Sequence, residues 1–285
     1  MTNDLTPTEP SESPTDPSAP LARPIEVPPH DAGSARREAA LRLLLVAMGL
    51  AAFFVLREAT GLDDWLRERS EALAIYTHLL GNGLAAMALL ALVLRRDPSP
   101  QSRLGLERVA TGPALGWGLL AIPLCYAANL VVSTLYLAAT RRDLFDVARD
   151  KVDALEPVAP IGGAGIVAVA VFVGVYEEVL FRGFVLSGLR AVLGSTSVRT
   201  AAAVGFSAAL FGAAHFYQGT LGMFQTGAVG LVLGAVAVAR RGVWPCIIAH
   251  VGIDLFGLAL LRFIRPLLDD ALRAATQPAL LAAPA

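Results

Sequence analysis

From Ala39 onward the chain alternates long apolar runs with short polar connections, and that alternation predicts its architecture. Seven runs come near the ~20 mainly apolar residues that carry a helix across hydrocarbon. They are Ala39 to Leu56, Ala72 to Leu94, Pro113 to Thr140, Ile161 to Leu189, Thr200 to Phe216, Leu221 to Ala239, and Trp244 to Leu261. Charged linkers (Arg57 to Glu71, Arg95 to Arg108, Arg141 to Glu156) separate most of them. Runs of this length lack the period-two alternation of barrel strands, and only helices or closed barrels satisfy their backbone in lipid. The prediction is an all-α, polytopic membrane bundle of about seven transmembrane helices. Asp143 to Leu155 and Arg262 to Arg273 mix charge with apolar residues at helical spacing, so each is expected as an amphipathic helix on the interface.

Before the first run, Met1 to about Ser34 is rich in Pro, Ser, Thr and acidic residues. Such a stretch buries too little surface to offset its chain entropy, so a disordered tail is expected over residues 1–35. It lacks the basic start and short apolar core of a secretory signal, and no cleavage is expected. The remaining layout is N-terminal transmembrane helices and linkers over 36–150, a core over 151–265 and a tail over 266–285.

Composition agrees with a lipid solvent: 55% of the 285 residues are hydrophobic and 16% are charged. Net charge is −1 and the basic residues are scattered, which leaves no electrostatic footprint for nucleic acid. The partner implied is the lipid bilayer, and the expected location is a bacterial plasma membrane. Arg36, Arg37 and the Arg240 and Arg241 pair favour a cytoplasmic N-terminus. Cys125 and Cys246 lie far apart inside apolar runs and read as small core fillers. Gly227, Gly230 and Gly234 place small residues along one helix, where another backbone can approach closely; packing within the bundle is the reading adopted.

Against this background, a few polar side chains stand out because ionisable groups within a membrane helix need a partner or a use. The fourth run holds Glu177, Glu178 and Arg182. Glu178 and Arg182, four apart, share a helix face and can neutralise each other, whereas Glu177 points about 100° away and is left free to work. The fifth run places Phe211 and His215 one turn apart, and the seventh does the same with His250 and Asp254. His78 and Asn82 repeat the spacing in the second run and read as polar bridging between helices. Three helices thus carry groups able to move protons or hold water or metal, and such groups turn inward toward one another. A general base, a water-positioning group and oxyanion donors become available in one cavity.

Glu177-Glu178-x-x-x-Arg182, Phe211-x-x-x-His215 and His250-x-x-x-Asp254, with the words EEVLFRGFVL, SAALFGAAHFYQG and WPCIIAH around them, resemble the CPBP family, also called the CAAX protease and bacteriocin-processing or ABI family. The resemblance covers about Ile161 to Leu261. It implies an intramembrane endopeptidase acting on a peptide or protein with a membrane-proximal segment. Glu177 would activate water, His215 would position it, His250 and Asp254 would steady the oxyanion, and Glu178, Arg182 and Phe211 would support the site. An ionised Asp254 would repel an oxyanion, so it is expected either protonated or orienting His250. Two chemistries stay open: a divalent metal, zinc, on Glu177, His215 and His250, or a metal-free glutamate-dependent route. HExxH is absent.

The alternatives are a non-enzymatic membrane scaffold or bacteriocin self-immunity protein, and, less favoured, a transporter with a proton relay, for which no inverted repeat is seen. As straight spans, the fifth and seventh helices would set His215 and His250 at different heights; a tilted or shortened fifth helix, consistent with Gly205, Gly212 and Gly219, would bring them level.

Overall fold

The computed structural model describes residues 32–107, 110–143, 146–147, 149 and 163–276. Most of the expected tail and most of the expected interface helix from Asp143 to Leu155 lie outside the described residues. So does the end of the chain after Thr276. Helices account for the regular structure throughout the described residues. They are α1 (Ala32–Ala59), α2 (Leu62–Arg67), α3 (Glu71–Leu94), α4 (Pro100–Arg103), α5 (Thr111–Thr140), α6 (Gly163–Glu178), a π-helical segment (Val179–Leu186), α7 (Ser187–Leu193), α8 (Ser197–Ala214), a 3-10 turn (Phe216–Gln218), α9 (Gly219–Arg240) and α10 (Trp244–Thr276).

Among the described residues, six helical stretches are long and apolar enough to cross a membrane, and Trp244–Leu260 forms a shorter apolar seventh. This is an integral membrane protein with a polytopic helical bundle. The helices overrun several hydropathy boundaries. Helix α1 begins at Ala32, within the expected tail, and extends past Arg57, because a helix tolerates charge where its ends leave the hydrocarbon. Helix α10 continues through Pro266 to Thr276, so Arg262 to Arg273 prolongs the last span as the same helix. Exposed Leu41, Leu44, Met48, Leu119, Leu130 and Leu135 give α1 and α5 the apolar exterior that lipid requires.

Packing relies on small residues. Helix α8 lies along α9, and α5 crosses both α9 and α10. A Cβ on Gly212 would meet the Met223 carbonyl oxygen at 2.6 Å, and one on Gly230 would meet Ala208 Cα at 3.0 Å. The glycines of α9 therefore serve a contact inside the bundle. On the other side of the site, a Cβ at Gly174 would lie 2.8 Å from Val251 Cγ2 and 3.7 Å from His250 Cβ. Helices α6 and α10 cross there, one turn before the two glutamates.

The π segment sits between two apolar cores. Val179, Leu180 and Phe184 join Val46, Leu90 and Leu104 on the α1 and α3 side, while Leu186 joins Cys125, Leu233 and Cys246 on the α5, α9 and α10 side. Both cysteines are free and fully buried, as small core fillers. A π turn over Val179–Leu186 interrupts the fourth apolar run. Its wider ring alters the backbone register, and Ser207 on α8 donates to the Phe181 carbonyl at 3.2 Å. A Cβ on Gly183 would meet the Leu104 carbonyl oxygen at 2.8 Å, so the α4 loop also rests directly on the segment.

Candidate active site

Helix α6 ends on Glu177 and Glu178, and both are buried. Glu178 Oε1 accepts from Arg182 Nη1 at 2.8 Å and faces His250 Nδ1 at 2.7 Å. One carboxylate therefore ties the π segment to α10. The Arg182 guanidinium lies 4.2 Å from the centre of the Phe211 ring. That ring makes edge contacts with Phe181 and His215 at 4.8 Å and with His250 at 6.0 Å. In a low-dielectric interior this cation and π stacking adds to the ion pair and fixes the ring planes.

Glu177 is held differently. Tyr176 donates its hydroxyl to Oε1 at 3.0 Å, while Oε2 is buried without a hydrogen-bond partner. Oε2 stands 3.8 Å from His215 Nε2 and 3.8 Å from His250 Nε2. The structure thus brings Glu177, His215 and His250 together, and adds Asp254, whose Oδ2 is 3.6 Å from His250 Nε2. The height mismatch between the two histidines is removed by a short α8. It ends at Ala214, and His215 occupies its C-cap before the 3-10 turn and Gly219 (φ 75°).

The imidazole tautomers follow from their partners. A carbonyl oxygen only accepts, so the 2.8 Å contact from His215 Nδ1 to the Phe211 carbonyl requires the hydrogen on Nδ1. In the neutral ring, Nε2 then presents its lone pair toward Glu177. Likewise, Nδ1 of His250 donates to the Glu178 carboxylate, and its Nε2 faces Glu177 and Asp254. The lone pair of His215 Nε2 and the carboxylate oxygens of Glu177 and Asp254 converge on one place and call for a proton donor such as water.

These donor types also suit zinc, with each ring oriented through its other nitrogen. Glu177 Oε2 stands 3.8 Å from each Nε2, against about 3.4 Å between tetrahedral ligands at zinc. Among the described residues no group of three or more His, Cys, Asp or Glu side chains is spaced to hold a metal ion.

Tyr176 is the site residue that spacing arguments miss, because it neighbours Glu177 in sequence instead of standing one turn away. Its signal is a phenol beside two carboxylates in an otherwise apolar run. The pair His78 and Asn82 belongs to a separate polar group: Asn82 Oδ1 accepts from Arg57 at 2.7 Å, and Arg57 also binds Asp63 on α2. His78 Nδ1 lies 3.9 Å from Asp63. This cluster ties α1, α2 and α3 together.

No curated protein and no solved structure matches the chain. Residues 162–256, about a third of the chain, match the family described as Rce1-like, type II CAAX prenyl endopeptidase. The matched stretch includes Glu177, His215, His250 and Asp254, so over this core the chain is similar to the CAAX prenyl endopeptidases that the family model describes.

Proposed function

We propose that the protein hydrolyses a peptide bond within the membrane using a water activated by Glu177. The observation that carries this reading is the buried, unpartnered Oε2 of Glu177 at 3.8 Å from both imidazole Nε2 atoms. A water at that place donates one hydrogen to Oε2 and the other to His215 Nε2, which turns its lone pair outward to the substrate carbonyl carbon.

As the oxygen to carbon bond forms, Glu177 takes the proton, and negative charge gathers on the carbonyl oxygen. His250, in its imidazolium form, donates from Nδ1 to Glu178 and from Nε2 to this oxyanion. Asp254 faces that nitrogen and stabilises the imidazolium rather than the oxyanion. Collapse of the tetrahedral intermediate breaks the carbon to nitrogen bond, and Glu177 returns its proton to the leaving amine. Every proton is accounted for by side chains of α6, α8 and α10, and no step calls for a metal.

The substrate class is a peptide or protein with a segment at or in the bilayer. The test is hydrolysis of membrane-presented peptides by purified protein in vesicles containing ¹⁸O water. The expected result is two fragments, with the label in the new carboxyl group. Intact peptides across a broad panel, with protein that remains folded, would favour the non-enzymatic scaffold reading.

A further inference from the structure

The turn between α7 and α8 gathers positive charge that the reaction does not use. Gly194 adopts φ +103°, and the position a Cβ would take there lies 3.1 Å from Arg199 Nη1 and 4.0 Å from Arg36 Nη2. Two guanidinium groups, one from the start of α1 and one from the start of α8, thus come within 4.0 Å of one point. Neither has a carboxylate partner among the described residues. The nearby acid on α1, Glu38, is engaged by Arg42 at 2.5 Å, and Arg42 also reaches Asp97. One turn earlier, Arg190 accepts through its carbonyl from Gly194 N–H at 2.8 Å, and its Nε is buried without a hydrogen-bond partner.

Like charges drawn together without an acid repel, and a bound anion reverses the sign of that interaction. The surroundings define what kind of anion. Val198, beside Arg199, is 80% exposed, and Leu41, just over a turn beyond Arg36, is 54% exposed. Exposed apolar side chains therefore stand within about one to two helical turns of the guanidinium groups at the end of the spans, a combination that suits an amphiphile with an anionic head.

We infer that Arg36 and Arg199 bind the phosphate of an anionic phospholipid at the α7–α8 turn, with its acyl chains lying along the apolar side chains of α1 and α8. This site is independent of Glu177 and stands whether or not the protein is a protease. Basic residues near a membrane surface each strengthen such binding about fivefold, so removal of both predicts roughly a thirty-fold loss.

The experiment measures retention of phosphatidylglycerol by native mass spectrometry, and the thermal midpoint it confers, on delipidated full-length protein in detergent. The wild type should retain phosphatidylglycerol in preference to phosphatidylcholine. Arg36→Gln with Arg199→Gln should weaken retention roughly thirty-fold, while Arg36→Lys with Arg199→Lys, which keeps the charge, should stay within severalfold of wild type. Arg67→Gln with Arg69→Gln, at the opposite end of the bundle, should change nothing. Equal retention of phosphatidylcholine, undiminished binding in the glutamine pair, equal loss in the lysine pair, or ready displacement by inorganic phosphate would each overturn the assignment.

Discussion

Glu178 and His250 are 72 residues apart in the chain, yet they meet at 2.7 Å, with the imidazole Nδ1–H directed at the carboxylate. The same oxygen accepts from Arg182, so one fully buried carboxylate neutralises a guanidinium and orients an imidazole. Oε2 of each glutamate is buried without a hydrogen-bond partner, but among the described residues Glu177 has no guanidinium beside it: Tyr176 holds its Oε1, and its Oε2 faces the Nε2 atoms of His215 and His250 at 3.8 Å. On the proposed mechanism, the two adjacent glutamates divide into a structural and a reactive member.

Removal of the structural member should unfold the protein more readily. Breaking a buried pair by deleting one partner costs about 3 to 5 kcal/mol, because the other charge is left uncompensated. Glu178→Ala is expected to lower the thermal midpoint of detergent-solubilised protein sharply, and Glu177→Gln to leave it near wild type. Equal midpoints for the two variants would contradict this division.

Tyr176 should act on rate through the position of Glu177. A hydrogen bond to a charged group is worth about 1.5 to 3 kcal/mol, so Tyr176→Phe is expected to reduce kcat roughly tenfold to hundredfold. KM and thermal midpoint should be nearly unchanged. A variant whose loss lay in stability instead of kcat would mean that the hydroxyl serves packing alone.

Outside the spans, Asp97 joins the α3–α4 connection to α1 and α4. Burial would raise its carboxyl, but hydrogen bonds from Arg42, the Ser99 backbone N–H and Arg103 outweigh that effect and hold it below the ordinary 3.8. A group depressed on folding stabilises the fold above its unfolded value, near about 3.9, and loses that contribution as pH falls through its folded value. Wild type should therefore exceed Asp97→Asn in stability by about 2 kcal/mol at pH 7. Thermal midpoints recorded down to pH 2.5 should show the gap closing only below about pH 3.9. A gap constant to the acid limit would contradict the ion-pair account.

Much of this arrangement was legible in the chain because lipid simplifies the code. Seven apolar runs became seven apolar helices, since every backbone group in hydrocarbon must bond within its own segment. Spacing of four residues placed Glu178 with Arg182 and His250 with Asp254, as the 2.8 Å and 3.6 Å contacts reflect. The π segment was not legible: its register depends on Ser207 and the Leu104 carbonyl arriving from elsewhere, and neither leaves a local pattern. Tyr176 was missed because periodicity compares residues a turn apart and not adjacent ones. Continuation of α10 through Pro266 was hidden for a related reason, since a proline marks a lost donor without dictating that a helix must stop there.

The division of roles between the two glutamates is tested most directly by the rate at which Glu177→Gln cleaves a membrane-presented peptide that the wild type cleaves. The amide keeps the size of the side chain and its bond to Tyr176 but cannot take a proton from water. A fall in kcat of about 10² to 10⁴, with an unchanged thermal midpoint, is the predicted result. Wild-type turnover by folded Glu177→Gln protein would contradict it.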